Sequence, residues 1–168
     1  LESGLTSKKL LSPFPEEIIR RTVSKFSDIL IAFDENSYNY LTKNFKNKYI
    51  KRISENTIVE TIKTKNENII LNTALVTLHR TENLVSKRNL EKFICFLNNL
   101  SKTHSIDWYL HEPTFHYLKK HKINIPKNIK THDLVNHDLF IEYLSKADVV
   151  ITDGGSIQEE CYFLGKKT

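Results

Sequence analysis

The sequence has no methionine, and it is poor in glycine and proline, with 4 of each in 168 residues. Without Met there is no initiator residue. With an opening Leu1-Glu2-Ser3-Gly4 and a close at Gly165-Lys166-Lys167-Thr168, the expectation is an internal fragment of a longer chain. So little Gly and Pro excludes collagen-like and low-complexity classes. The 2 cysteines, Cys95 and Cys161, lie 66 residues apart and make no CxxC pair and no zinc-type spacing. Both are expected as reduced thiols in or near the core. No apolar run approaches the roughly 20 residues that span a bilayer. The longest candidate, Leu144 to Thr152, is broken by Lys146 and Asp148. No signal peptide is visible, and the expectation is a cytoplasmic protein without membrane insertion.

Apolar residues make up 39% and charged residues 27%, a globular composition. The net charge of +5 is spread evenly, with 12 basic and 9 acidic residues up to position 68 and 13 and 11 after it. Local basic clusters at Lys43 to Arg52 and Lys119 to Lys130 read as solvated surface. A nucleic-acid binder would gather such charge on one element among aromatics, so no nucleic-acid partner is expected.

Short apolar runs of β type alternate with longer amphipathic stretches, which predicts α/β organisation with parallel sheets. Helix is expected from Glu16-Glu17 to Phe26, strand over 28–33, helix from an Asp34 cap to Phe45, and strand over 49–53. A short helix at 57–63 and a polar linker at 63–68 follow. Strands are then expected at 74–78, 106–110, 129–131 and 148–152. Helices are expected around Leu90 to Leu100, Thr114 to Lys120 and Leu139 to Leu144, and after Gly155 through Leu164.

Three places carry chemistry. The strand ending at Thr152 runs through Asp153-Gly154-Gly155-Ser156 straight into a helix. Ligands of parallel sheets bind beyond the carboxyl ends of strands, and free N–H groups at a helix start favour an anion. Glu159 and Glu160 follow, and a carboxylate can accept both hydroxyls of a ribose. The pattern suits a nucleotide or nucleotide-sugar, although an ordinary capped strand–helix turn has the same composition. His79-Arg80 with Glu82 ends another strand, where His can serve a leaving group and Arg a phosphate; a structural His is the alternative. Glu2 and Glu16-Glu17 flank Ser12-Pro13-Phe14-Pro15, and such carboxylates can act as general acid and base or simply complement a helix dipole. His111, His116 and His121, like His132 and His137, are five apart, not the four of a metal-binding helix face, and are expected on the surface or in packing.

Together these residues resemble the UDP-N-acetylglucosamine 2-epimerase family over nearly the whole chain. The family's H-x-E-A-G-L-R resembles Glu2-Ser3-Gly4-Leu5, and S-P-x-P-E-E matches Ser12 to Glu17. T-G-N-T-V resembles Ser54 to Ile58, and V-T-x-H-R-x-E-N matches Val76 to Asn83. T-D-S-G-G-x-Q-E-E resembles Thr152 to Glu160, with Gly154 standing where the motif has Ser. The resemblance implies a GT-B-like fold of two Rossmann-like domains with the active site in the cleft. Residues 1–65 would be the C-terminal part of the first domain and 66–168 the N-terminal part of the second, UDP-binding one.

By the same resemblance the reaction inverts C2 of UDP-GlcNAc to give UDP-ManNAc, by anti elimination of UDP and re-addition, for surface or capsular polysaccharide synthesis. Glu2 and Glu16 would be the catalytic carboxylates, and His79 would assist departure of the diphosphate. Arg80, Gly154, Gly155 and Ser156 would hold phosphate, Glu160 the ribose, and Phe140 the uracil. No metal or nicotinamide is implied, a homodimer is, and the isolated segment would be inactive. Hydrolysing relatives usually carry a G-N-S-S-S-G-type turn where this chain has Thr152 to Ser156. Release of free ManNAc and UDP is therefore the second reading, ahead of a related glycosyltransferase or an inactive UDP-sugar-binding fragment.

Overall fold

A computed structural model describes residues 3–7, 15–53, 62 and 68–168. The chain divides into two compact units, Leu1–Thr57 and Ile58–Thr168.

The first unit contains helix α1 (Glu16–Phe26), strand β1 (Ile29–Ala32), helix α2 (Glu35–Asn44) and strand β2 (Tyr49–Arg52). β1 and β2 pair in parallel, from Ile29 against Tyr49 to Ala32 against Arg52. A parallel pair needs a crossover, and α2 supplies it. Asp34 starts that helix by accepting the Ser37 amide at 2.8 Å and the Ser37 hydroxyl at 2.6 Å. Those bonds hold its carboxyl below the usual range. Leu30, Ala32 and Leu41 form the buried core, flanked by Tyr38, Tyr40, Phe45 and Ile50. Burial on α1 runs against polarity. Glu17 and Ser24 are buried, whereas Ile19, Val23 and Phe26 are exposed.

The second unit is built on a parallel sheet of order β5-β4-β3-β6. Its elements are β3 (Ile70–Leu78), α3 (Thr81–Leu84), α4 (Lys87–Leu100), β4 (Ser105–Leu110), α5 (Glu112–His121), β5 (Ile129–His132), α6 (His137–Lys146), β6 (Ala147–Thr152) and α7 (Gly155–Phe163). β3 is central, so Ala74 to Leu78 are buried in succession, as a strand covered on both faces requires. Ala74, Val76 and Leu78 face a core with Leu90, Leu97 and Trp108. Leu75 faces the other core, with Ile141, Leu144, Val150 and Cys161. Each fully buried Leu contributes about 2 kcal/mol of apolar burial.

The chain leaves β3 for β4 on one side and returns to β6 on the other. The gap between β3 and β6 is therefore the point where strand order reverses, the preferred ligand crevice of such sheets.

Local departures from the sequence reading have visible causes. β3 begins at Ile70 rather than Ala74, because a register shift between Ile70 and Ala74, with Asn72 at φ 58°, lets Ile70 still pair with Ala147. The His79 to Asn83 stretch after the strand reads as a loop, but Thr81–Leu84 form the single turn α3. Cys161 is buried, and burial pushes its thiol pKa up, but Cys95 is exposed on α4, opposite the buried Leu90-Ile94-Leu97 stripe. The helix expected at 57–63 and the linker at 63–68 lie almost wholly outside the described residues. Among the described residues no helix is long and apolar enough to cross a membrane.

Candidate functional site

β3 and β6 end side by side, with Thr77 paired to Thr152 and the two hydroxyls 2.8 Å apart. The next residues of each strand carry the polar chemistry. Asp153 accepts the His79 amide at 3.0 Å, the Arg80 amide at 2.9 Å and the Asn83 side chain at 3.0 Å. The Arg80 Nε donates to the Asp153 carbonyl at 2.7 Å. Nδ1 of His79 stands 3.1 Å from Oδ1 of Asp153, an ion-pair distance without hydrogen-bond alignment. Burial alone would raise the Asp153 pKa. The bonds from Asn83, Arg80 and His79, with the His79 charge, bring it below the ordinary carboxylate value instead. Asp153 is thus an ionised anchor that joins the ends of two strands.

β4 adds a second imidazole. Leu110 is in register with Leu78, so His111 follows His79 across the sheet end, with ring centroids 4.9 Å apart. Burial lowers the His111 pKa, His79 lowers it further, and Asp153 opposes both. The Thr114 hydroxyl of α5 donates to the Leu78 carbonyl, which secures the strand end just before His79.

α7 opens on bare glycine. Gly154 is its N-cap and no side chain caps the first turn. A Cβ on Gly154 would come 2.9 Å from Cε1 of His79, so only glycine admits the ring in this position. At Gly155 the nearest neighbour is the Arg80 guanidinium, 4.0 Å from where a Cβ would stand. Uncapped helix N–H groups, an Arg and a His together suit a phosphate-like anion. Farther along α7, Glu160 is 5% exposed, and its Oε1 lies 2.8 Å from Nε2 of His137. Its Oε2 is buried without a hydrogen-bond partner in the structure. Such an atom is costly unless something pairs with it, and ligand hydroxyls fit the requirement.

The sequence profile of the UDP-N-acetylglucosamine 2-epimerase family matches residues 1–168. The chain belongs to this family. The epimerase of Salmonella borreze is 30% identical, over 99% of this chain and 50% of its own length. That of Methanococcus maripaludis is 29% identical, over 98% of this chain and 50% of its own. The solved Methanocaldococcus jannaschii UDP-GlcNAc 2-epimerase in complex with UDP-GlcNAc and UDP matches with a TM-score of 0.77 at 27% identity, covering 99% of this chain and 51% of that one. The Neisseria meningitidis enzyme bound to UDP-GlcNAc matches with a TM-score of 0.75 at 25% identity, covering 99% and 50%. These neighbours carry the GT-B-like α/β architecture expected from the sequence. The chain spans about half the length of the curated relatives it matches.

Against that family, the residues singled out in the sequence fall into three groups. His79, Arg80, Gly154 and Gly155 come together at the β3–β6 switch point. Ser156 is exposed in the first turn of α7, and Phe140 is partly buried edge-on to Tyr109 at 5.7 Å. Glu160 pairs with His137, three residues before Phe140. Glu16 is exposed in the first turn of α1, in the other unit, and Glu2 lies outside the described residues. Asn83, His111 and His137 gained no specific role from sequence spacing. For His111 the available signal was its place immediately after a strand, the same signal that marked His79. Among the described residues no His, Cys, Asp or Glu group is arranged to hold a metal ion.

Proposed function

We propose that the full natural chain is a non-hydrolysing UDP-GlcNAc 2-epimerase that interconverts UDP-GlcNAc and UDP-ManNAc. The observation that carries this reading is the Asp153-anchored pair His79 and Arg80 over the bare Gly154-Gly155 helix start, at the switch point of the sheet. It is an anion site built for close backbone approach, and the matched neighbours bind a nucleoside diphosphate sugar.

The chemistry must remove a C2 proton that is not acidic. Stretching the C1–O bond first builds oxocarbenium character at C1, which acidifies C2–H. A carboxylate then takes that proton as the C1–O bond breaks, giving 2-acetamidoglucal and UDP. Return of a proton to the opposite face of C2, with re-addition of UDP at C1, gives the epimer. Glu2 and Glu16 are assigned as the carboxylates that stabilise charge and move the proton. His79 and Arg80 stabilise the departing diphosphate, with the N–H groups at Gly155 and Ser156. Glu160 receives the ribose through its free Oε2, and Phe140 packs by the uracil.

Residues 1–65 are assigned to the end of a first Rossmann-like domain and 66–168 to the start of a second. Because the chain spans half of its relatives, activity is assigned to the full natural chain rather than to these 168 residues in isolation. The enzyme is assigned to the cytoplasm as a homodimer supplying UDP-ManNAc for surface or capsular polysaccharide. The test is incubation with UDP-GlcNAc in D2O. Deuterium at C2 of interconverting UDP-sugars is the expected result, whereas free ManNAc with stoichiometric UDP would assign the hydrolysing reaction instead.

A further inference from the structure

Adjacent glutamates open α1, and the fold treats them oppositely. Glu16 is exposed, whereas Glu17 has 0% of its surface exposed. The Glu17 carboxylate reaches back ten and eleven residues. Its Oε1 accepts the Thr6 hydroxyl at 2.5 Å, and its Oε2 accepts the Ser7 amide at 3.1 Å. Arg21, one turn along α1, donates to Oε1 at 2.8 Å. Burial would raise the Glu17 pKa, but Thr6, Ser7 and Arg21 bring it down to about 2.

The same turn is held from its other end. Gly4 has φ 86°, and a Cβ there would lie 2.5 Å from the Ser37 carbonyl and 2.9 Å from the Leu41 side chain. The turn over 4–7 is therefore seated on α2 by Gly4 and tied to α1 by Glu17. Glu2 is two residues upstream of Gly4, and Glu16 is the immediate neighbour of Glu17.

We infer that Glu17 is a positioning residue whose buried carboxylate ties the turn over 4–7, which follows Glu2 in the sequence, to the helical turn that carries Glu16. The inference rests on the assignment of Glu2 and Glu16 as the proton-moving pair. Proton transfer demands placement to within a fraction of an ångström, and a shift of about 1 Å can cost roughly 100-fold in rate. Glu17 need not touch the sugar to set that placement.

The test uses the full natural chain with Glu17→Gln, which keeps the volume but turns one acceptor oxygen into a donor. Thr6→Val and Thr6→Ser probe the same tie without altering the buried charge. Nucleotide is assigned above to residues of the second unit, so the expected result is a kcat lower by about 10- to 100-fold in Glu17→Gln and Thr6→Val. KM for UDP-GlcNAc and the affinity for UDP should stay within about twofold, and Thr6→Ser should recover most of the rate. Amide exchange at Ser7 should accelerate in Glu17→Gln. Unchanged kcat in both weakened variants overturns the inference. So does a parallel loss of kcat and UDP binding, which is the mark of mere unfolding. If the unaltered protein itself leaves C2–H of UDP-GlcNAc intact, the epimerase assignment fails, and the role of Glu17 in that reaction fails with it. A fully active wild type beside a fully active Glu17→Gln overturns the positioning role alone.

Discussion

Asp153 and His79 leave different strands of the second unit, yet the Asp153 carboxylate accepts the His79 amide at 3.0 Å and stands 3.1 Å from its Nδ1. The same carboxylate accepts the Arg80 amide and the Asn83 side chain, while the Asp153 carbonyl accepts the Arg80 Nε, so one residue organises both His79 and Arg80. Asp153→Asn would turn an acceptor into a donor facing N–H groups. Activity should fall by about 100-fold through misplaced His79 and Arg80. Stability should fall by about 1.5–3 kcal/mol, since hydrogen bonds to a charged group are lost. Steady-state kinetics with thermal melting checks both.

The neighbouring glycines predict opposite outcomes. Gly154→Ala puts a Cβ 2.9 Å from Cε1 of His79, so the ring must move; a clear loss of kcat is expected. The family motif carries Ser here, and this chain's glycine is what allows His79 to lie so close. At Gly155 a Cβ meets only the Arg80 guanidinium at 4.0 Å, and Gly155→Ala should change stability by less than about 0.5 kcal/mol. Steady-state kinetics together with melting curves of the two variants separate these cases. Equal destabilisation would contradict the difference in packing.

Glu160 should matter for nucleotide affinity. Its Oε1 is engaged by His137 and its Oε2 is free in a buried setting. Glu160→Ala should weaken UDP binding by about 10-fold or more, the worth of a charge-assisted hydrogen bond. His137→Ala should weaken it less, because the carboxylate remains. Calorimetric titration with UDP measures both, and a Glu160→Ala protein with undiminished affinity would remove Glu160 from the site.

Acid stability should report Glu17. Its folded pKa of about 2 lies below the ordinary 4.5, so the folded state binds its proton less readily than the unfolded chain does. The stabilisation is fully present above about pH 4.5 and is lost as pH falls towards 2. The stability difference between wild type and Glu17→Gln should be constant above pH 5 and shrink below pH 4.5. A difference that grows on acidification would contradict the sign.

Much of this was legible in the sequence because the elements rest on local signals. Asp34 announced a helix start, and the apolar 74–78 run announced a strand. The Leu90-Ile94-Leu97 stripe did the same for α4. What escaped depends on register between distant segments. His111 sits beside His79 because Leu110 pairs with Leu78, a match across 32 residues that no spacing rule encodes. His137 meets Glu160 because α6 and α7 lie on the same side of the sheet. The start of β3 at Ile70 went unread because Asn72 and Thr73 interrupt the apolar run, although the strand continues through Asn72 in a left-handed conformation. On α1, Glu17 read as a helix-dipole charge, since its partners Thr6 and Ser7 come from a turn about ten residues back.

The central claim is most directly tested at the sugar's second carbon. The full natural chain, incubated with UDP-GlcNAc in D2O and followed by proton NMR, should lose the C2 proton signal while UDP-GlcNAc and UDP-ManNAc interconvert. A C2 proton that stays unexchanged, with no UDP released, would contradict the account.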